Sequence, residues 1–377
     1  MSTITLPGLD LAKVTALPGV YNFGATLLPK WKKQRGLFRN NGTVVPKIGC
    51  SGDSTTEGAY SDGTTYGKRA NGYPDQLATV LSSLGLLADG DSAFGIGGGA
   101  SVANQQTYNP KLSGGAGWLV NGNQTLGGNI WESPSGVTAA LNYTPSFAWD
   151  TAEIRVFDGL GSATWSASVN GGAALQTVTP NGDFSYRKVT ISTGAGPAAQ
   201  TLNIQRVSGG SLFLCQVRCY DSTKKRIAVQ NYGRGGWTVG NGAANSSNFS
   251  PIQAITAQAN DVNIIDYGIN DWNAGTSLSS FNTAYQSVLT AAGGSQILLI
   301  PPASDPGSFA SDATQQTYRD AIMALGQSNA CVVVDWNWLL GSTFAAANAN
   351  GFMGDSRHQN GAGNDVLVAV LAALLTS

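Results

Sequence analysis

The chain of 377 residues contains a single histidine, His358. Any imidazole chemistry falls to that one side chain. Charged residues are scarce at 11%, with 21 basic against 22 acidic, less than half the usual quarter. A net charge of −1 creates no field that would gather polyanions, so neither nucleic acid nor an anionic membrane surface is an expected partner. The cysteines number four. Cys50 and Cys331 sit in apolar runs and read as small buried hydrophobes. Cys215 and Cys219, on one extended segment, would stand about 13 Å apart, too far for a disulfide. One histidine and no Cys-x-x-Cys pair leave a zinc site without ligands, and neither metal nor organic cofactor is expected. No apolar run reaches the roughly 20 residues of a membrane span. The opening Met1-Ser2-Thr3-Ile4-Thr5-Leu6-Pro7 is neither basic nor continuously apolar, so no signal peptide is read there. The polar surface must be built from Asn, Gln, Ser, Thr and 49 glycines. Secreted and virion proteins that meet glycans share this composition, which favours an extracellular or virion-associated setting without fixing one. Nothing in the sequence sets an oligomeric state.

What is present begins with the histidine's neighbourhood, Gly354-Asp355-Ser356-Arg357-His358. An aspartate three residues before a histidine can accept the Nδ1 proton, fixing the tautomer and leaving Nε2 as a general base. A nucleophile for such a base is found near the other end. Residues 44–50 read as a short buried strand, followed by Ser51-Gly52-Asp53-Ser54-Thr55. A serine in a tight turn after a first parallel strand is where an open α/β sheet exposes a reactive group. Gly-Asp-Ser recurs at Ser92 and Ser356, but only Ser54 has a strand before it.

Two further strands, 227–232 and 262–267, run into Gly233-Arg234-Gly235-Gly236-Trp237-Thr238 and Gly268-Ile269-Asn270-Asp271. A tetrahedral oxyanion needs about two or three preorganised donors. The N–H groups of Ser54 and Gly236 and the amide of Asn270 would meet that need at one sheet edge. Strand-end turns are rich in Gly and Asn in any case; what counts is that they recur after successive strands.

With these residues in view, the chain resembles the SGNH hydrolases, the GDSL esterase/lipase family. Gly52-Asp53-Ser54 matches the first block of that family, although Thr55 stands where many members carry leucine or isoleucine. Asn231, Gly236 and Thr238 match the second, Gly268, Asn270 and Asp271 the third, and Asp355 and His358 the last. The resemblance implies Ser54 as nucleophile, Gly236 and Asn270 as oxyanion donors, and Asp355 with His358 as the rest of a triad. Gly233 and Gly235 compete with Gly236 for the donor position.

The pattern of elements gives an architecture. A helix is predicted over 74–87, then, beyond the third block, a helix near 277–292, a strand at 296–301, a helix near 312–327, a strand at 330–335 and a helix over 362–375. Such alternation implies a parallel sheet covered on both faces; the resemblance makes this a three-layer α/β/α, flavodoxin-like SGNH hydrolase fold. That domain is split into 43–101 and 223–377, after an N-terminal segment 1–42. Between its halves, 102–222 carries short alternating runs such as Glu153-Ile154-Arg155-Val156-Phe157 and Tyr186-Arg187-Lys188-Val189-Thr190-Ile191, broken by turn residues. An inserted jelly-roll-like β-sandwich is expected there, able to bury its own core at about 120 residues. It resembles the modules of some carbohydrate-active SGNH esterases and is a candidate carbohydrate-binding unit.

Aromatic residues bear on substrate. Trp118, Trp131, Trp149 and Trp165 fall in the insertion, while Tyr60, Tyr232, Trp237, Tyr267 and Trp272 stand near the motifs. Most such rings belong to cores, but Trp237, Trp272 and Tyr232 are candidates for contact with a sugar, as are Arg234 and Arg357 for an acidic one. Gly95-Ile96-Gly97-Gly98-Gly99-Ala100 spells a dinucleotide fingerprint without its strand and helix, and reads as a loop. Lys30-Trp31-Lys32-Lys33-Gln34-Arg35 is a short basic cluster, read as a solvated helix or attachment segment.

The expected activity is a serine esterase that removes O-acetyl groups from a polysaccharide. Three alternatives stay open: a glycan-binding, phage-tail-like adhesin with incidental or no hydrolysis, a lipase or lysophospholipase, and, more remotely, a glycosidase using Asp266 and Asp271.

Overall fold

The computed structural model describes residues 17–24, 26–42, 44–64, 67–90, 101–122, 125–159, 161–247 and 250–377. The Gly-Asp-Ser copy at Ser92, the glycine run 95–100 and the first sixteen residues lie outside them.

Seven strands form the principal sheet, in the spatial order Val20–Asn22, Val332–Asp335, Ser295–Ile300, Val262–Asp266, Lys47–Gly52, Ile227–Gly233, Ala88–Asp89. Val20–Asn22 runs antiparallel to its neighbour and the other pairs are parallel. The five middle strands, counted in chain order, read 2-1-3-4-5, the doubly wound arrangement whose crevice opens beyond the carboxyl ends of the strands.

Side-chain alternation explains the layers. Ile264, Ile297, Leu299, Val332 and Val334 enter one apolar cluster with the helices Tyr73–Ser83 and Gly361–Thr376. Ile265, Leu298, Ile300 and Val333, one residue out of step, enter a second with the helices Leu278–Ala292 and Asp312–Ser328. Since successive strand residues face opposite sides, the sheet is buried on both faces. These strands therefore read as continuous apolar runs.

The helix predicted over 74–87 ends at Ser83; Gly85, at φ 82°, turns the chain into the strand Ala88–Asp89. The basic cluster lies on the helix Pro29–Asn41, but its Trp31 is buried and donates Nε1–H to the Leu375 carbonyl at 2.8 Å. The four cysteines are free and buried, with Cys215 and Cys219 together on the strand Leu212–Tyr220.

Between Leu112 and Tyr220 lie two five-stranded antiparallel sheets. Their facing side chains, including Trp118, Trp131, Trp149 and Trp165, meet in one buried apolar cluster separate from the two above.

The edge that gathers the motifs is set by register. Gly52 pairs with Gly233 on one side and Asp266 on the other. The short helix Ser54–Glu57 lies across these strand ends so closely that a Cβ on Gly233 would come 2.2 Å from the Glu57 nitrogen. Because backbone cannot yield as a side-chain tip does, Gly233→Ala is expected to destabilise the protein by about 3 kcal/mol. A lowered Tm is the result to look for; an unchanged Tm would mean the helix is not seated there.

Candidate active site

Ser54, Gly236 and Asn270 follow three adjacent parallel strands by a few residues each, so the register brings them to one rim. Ser54 is the first residue of its helix. The preceding Asp53 caps it, Oδ1 accepting the Thr55 N–H at 2.9 Å. His358 arrives on the loop between Met353 and Gln359, which pair as an isolated bridge. Its backbone N–H and that of Arg357 donate to Asp355 Oδ1 at 2.5 and 2.7 Å, a tight aspartate turn. Across the ring, Nδ1 lies 2.9 Å from Asp355 Oδ2 and Nε2 lies 2.8 Å from Ser54 Oγ. Burial pushes the Asp355 carboxyl up, but hydrogen bonds from the imidazole and the two backbone N–H groups, together with the charge of His358, hold it below the usual range. It is therefore an acceptor for Nδ1–H at neutral pH.

Gly236 takes φ 79° in a turn closed by the Trp237 N–H on the Arg234 carbonyl at 3.2 Å. Only glycine adopts that conformation without cost. Asn270 Nδ2 donates to the Trp237 carbonyl at 2.9 Å, and Asp271 Oδ2 accepts the Val239 N–H at 2.9 Å. The third motif thus ties down the second. Thr238 caps the helix Val239–Gly242 jointly with Asn241, their side chains 2.9 Å apart. Asn231 is buried, its Oδ1 holding the Gly233 N–H at 2.9 Å.

Under the nucleophile lies a layer that sequence reasoning missed. The Thr55 hydroxyl is 2.8 Å from Asp53 Oδ1 and 2.6 Å from Asp266 Oδ2. One hydroxyl hydrogen can point to only one of the two carboxylates at a time, so the pair is held close with a single hydrogen between them. Burial, then the charge of Asp266, pushes Asp53 well up; burial alone lifts Asp266 to about 6 against hydrogen bonds from Thr55 and Thr56. Thr55, standing where the family commonly has leucine or isoleucine, was the signal available in the sequence. Asp266 and Asp271 are fully buried and committed to these bonds, so neither faces a sugar as a glycosidase carboxylate would.

Glu57 is buried behind Ser54. Burial pushes its carboxyl up to about 8, against the charge of Arg234 and a hydrogen bond from the Gly235 backbone. The folded chain then binds more protons than the unfolded one between about pH 4.3, the ordinary glutamate value, and 8. Stability falls as pH rises through that window. Glu57→Gln should raise Tm at about pH 9 and leave it nearly unchanged at about pH 5; thermal melts showing equal effects at both would mean that Glu57 ionises normally.

The aromatic candidates are placed differently from expectation. Tyr232, Trp237 and Trp272 are all buried in the cluster beneath the sheet. The Tyr232 hydroxyl bonds Gln230 Oε1, and Trp272 is covered by the edge of Tyr318 and by the Arg319 guanidinium 5.6 Å from its centroid. No ring face is left for a sugar: these residues fill the apolar cluster shared with the helices Leu278–Ala292 and Asp312–Ser328. Arg234 is partly exposed beside Gly236, its chain lying along Gly128 of the hairpin formed by Leu119–Gly122 and Asn129–Ser133. Arg357 stacks on Phe309 at 4.0 Å. The ring that reaches the imidazole is Tyr60.

Residues 214–366 match the GDSL-like lipase/acylhydrolase family. No curated protein matches the chain. Among solved structures, it is similar to a peptidoglycan O-acetylesterase at TM-score 0.69 and 15% identity, over 94% of this chain and 97% of that one. It is similar, at TM-score 0.33 and 17% identity over 41% of this chain and 75% of the other, to an acetylxylan esterase from Geobacillus stearothermophilus. Among the described residues, no helix is long and apolar enough to cross a membrane.

Proposed function

We propose that this chain is an SGNH hydrolase of the GDSL-like kind and that it removes O-acetyl groups from a polysaccharide by Ser-His-Asp acyl transfer. The observation that carries the reading is the unbroken chain of contacts from Asp355 through His358 to Ser54 Oγ, 2.9 and 2.8 Å long. His358 Nε2 takes the Ser54 proton as Oγ attacks the ester carbonyl. Asp355 fixes the tautomer and stabilises the imidazolium. Charge developing on the carbonyl oxygen is met by the N–H groups of Ser54 and Gly236 and by the Asn270 amide hydrogen not engaged with Trp237. The sugar alkoxide leaves with the proton from His358. Water then repeats the sequence on the acetyl-serine, and neither half calls on a metal or cofactor.

Three features support an acetylated glycan as substrate: the uncharged polar composition, the inserted two-sheet unit and the kinship of fold with a peptidoglycan O-acetylesterase. We read 102–222 as an inserted β-sandwich. Its tryptophans are core, so it meets substrate through the turn at Gly128, where it abuts Arg234, rather than through an aromatic platform. Arg234 at that rim is a candidate contact for an acidic sugar.

The test is free acetate released from a panel of O-acetylated polysaccharides, with long-chain esters alongside. Acetate release from at least one glycan, with no long-chain hydrolysis, is expected. The reverse pattern would make the protein a lipase, and glycan binding with no turnover of any ester would make it an adhesin.

A further inference from the structure

The imidazole that touches Ser54 lies against the face of Tyr60. The two rings are stacked, with centroids 5.0 Å apart and planes 14° from parallel. Tyr60 holds a left-handed backbone, φ 57°, which a bulky residue adopts only where its surroundings impose it. Those surroundings are the nucleophile's own loop. Gly58 and Ala59 donate to the Ser54 carbonyl at 3.0 Å, and the Tyr60 carbonyl accepts the Gly63 N–H at 2.9 Å. The histidine's turn is fitted onto the same residue. A Cβ on Gly354, next to Asp355, would meet the Tyr60 carbonyl oxygen at 2.6 Å and its Cβ at 3.4 Å. The Gly361 N–H, just past the turn, donates to the Ser61 carbonyl at 3.0 Å.

We propose that Tyr60 is a positioning residue of this site, its ring holding His358 in the rotamer that reaches Ser54 and favouring the imidazolium formed there. The proposal rests on the Ser-His-Asp reading. Asp355 grips the imidazole at one edge, through Nδ1, and such a grip leaves the ring free to rock about that bond. A flat ring lying along the imidazole face removes the rocking. When the Ser54 O–H bond breaks and its proton passes to Nε2, the positive ring gains the attraction of the π face beside it. The phenol hydroxyl has no part in this; the ring alone acts.

Two measurements test it. Tyr60→Leu is expected to lower kcat for a small acetate ester about tenfold, the factor a cation gains over a half-buried ring, with KM little changed. Tyr60→Phe restores the rate. Should the leucine variant fold poorly, Tyr60→Met gives an apolar chain without a π face and the same outcome. The second measurement is made in the Ser54→Ala background, where turnover does not enter. His358 is the sole histidine, so its ring-proton NMR signals identify themselves. The stacked ring holds them at high field; Tyr60→Leu moves them downfield and Tyr60→Phe leaves them in place. Unmoved signals would show that the stack is absent in solution. Moved signals with an unchanged kcat would show a ring that covers the imidazole without positioning it. Either result overturns the proposal. Turnover that survives loss of Ser54 would instead overturn the acyl-transfer reading, with the NMR result still standing on its own.

Discussion

Ser54→Ala is expected to lower kcat on a small acetate ester about a millionfold, and His358→Ala by as much. In the proposed mechanism the two side chains act as one device. Serine is a weak nucleophile until its proton has somewhere to go, and the base has nothing to activate without the hydroxyl 2.8 Å away. The double variant should therefore be no worse than either single one. Asp355→Asn is expected to slow turnover about ten-thousandfold, because an amide at that position favours the wrong tautomer while preserving the turn's shape. A burst-phase assay with a chromogenic acetate would read all four, and circular dichroism would show the fold intact. Full activity in Ser54→Ala, or a double variant that multiplies the two losses, would refute the assignment.

Asn270→Ala carries the second large effect. It should slow turnover by about a hundredfold to a thousandfold with KM nearly constant, since an oxyanion donor acts on the transition state and hardly on the bound ester. The contact with Trp237 argues for the upper end of that range. Asn270 Nδ2 holds the Trp237 carbonyl at 2.9 Å, directly after Gly236, so truncation deletes one donor and loosens the turn presenting another. A double cycle with Gly236→Ala separates the parts. If the two donors are linked, the Gly236 substitution costs less once Asn270 is gone. Losses that simply multiply would mean that the hydrogen bond does not transmit to the turn.

Much of the site was legible because its chemistry sits next to elements with plain signatures. Ser54, Gly236 and Asn270 each follow an apolar run long enough to be a strand, and parallel pairing brings such ends together whatever the spacing in the chain. His358 was legible by scarcity. The helices Leu278–Ala292, Asp312–Ser328 and Gly361–Thr376 lie within a residue or two of their predicted spans, since each carries a long periodic stripe. The strand Val20–Asn22, three residues with no apolar period, showed no signal. The aromatics failed for a different reason. Whether a ring near a motif is core or surface depends on which way its turn aims it, and once the strand has ended the alternation that would tell is lost. Thus Trp237 and Trp272 went inside, while Tyr60, in a loop with no periodicity at all, came to rest on the imidazole. The Thr55 bridge between Asp53 and Asp266 spans 211 positions, a pairing no local pattern announces.

The serine and the imidazole that meet here are 304 positions apart, and the base lies immediately before the helix Gly361–Thr376. That placement has a consequence for biosynthesis. While residue 358 is still inside the ribosome, the nascent chain presents the hydroxyl, the glycine turn and the amide, yet has no means to ionise the nucleophile. On the proposed mechanism, hydrolysis waits until that helix has emerged and docked against Tyr73–Ser83. A stop between Asp335 and His358 would leave all seven strands of the sheet in the product but remove both the base and the core helix that follows it.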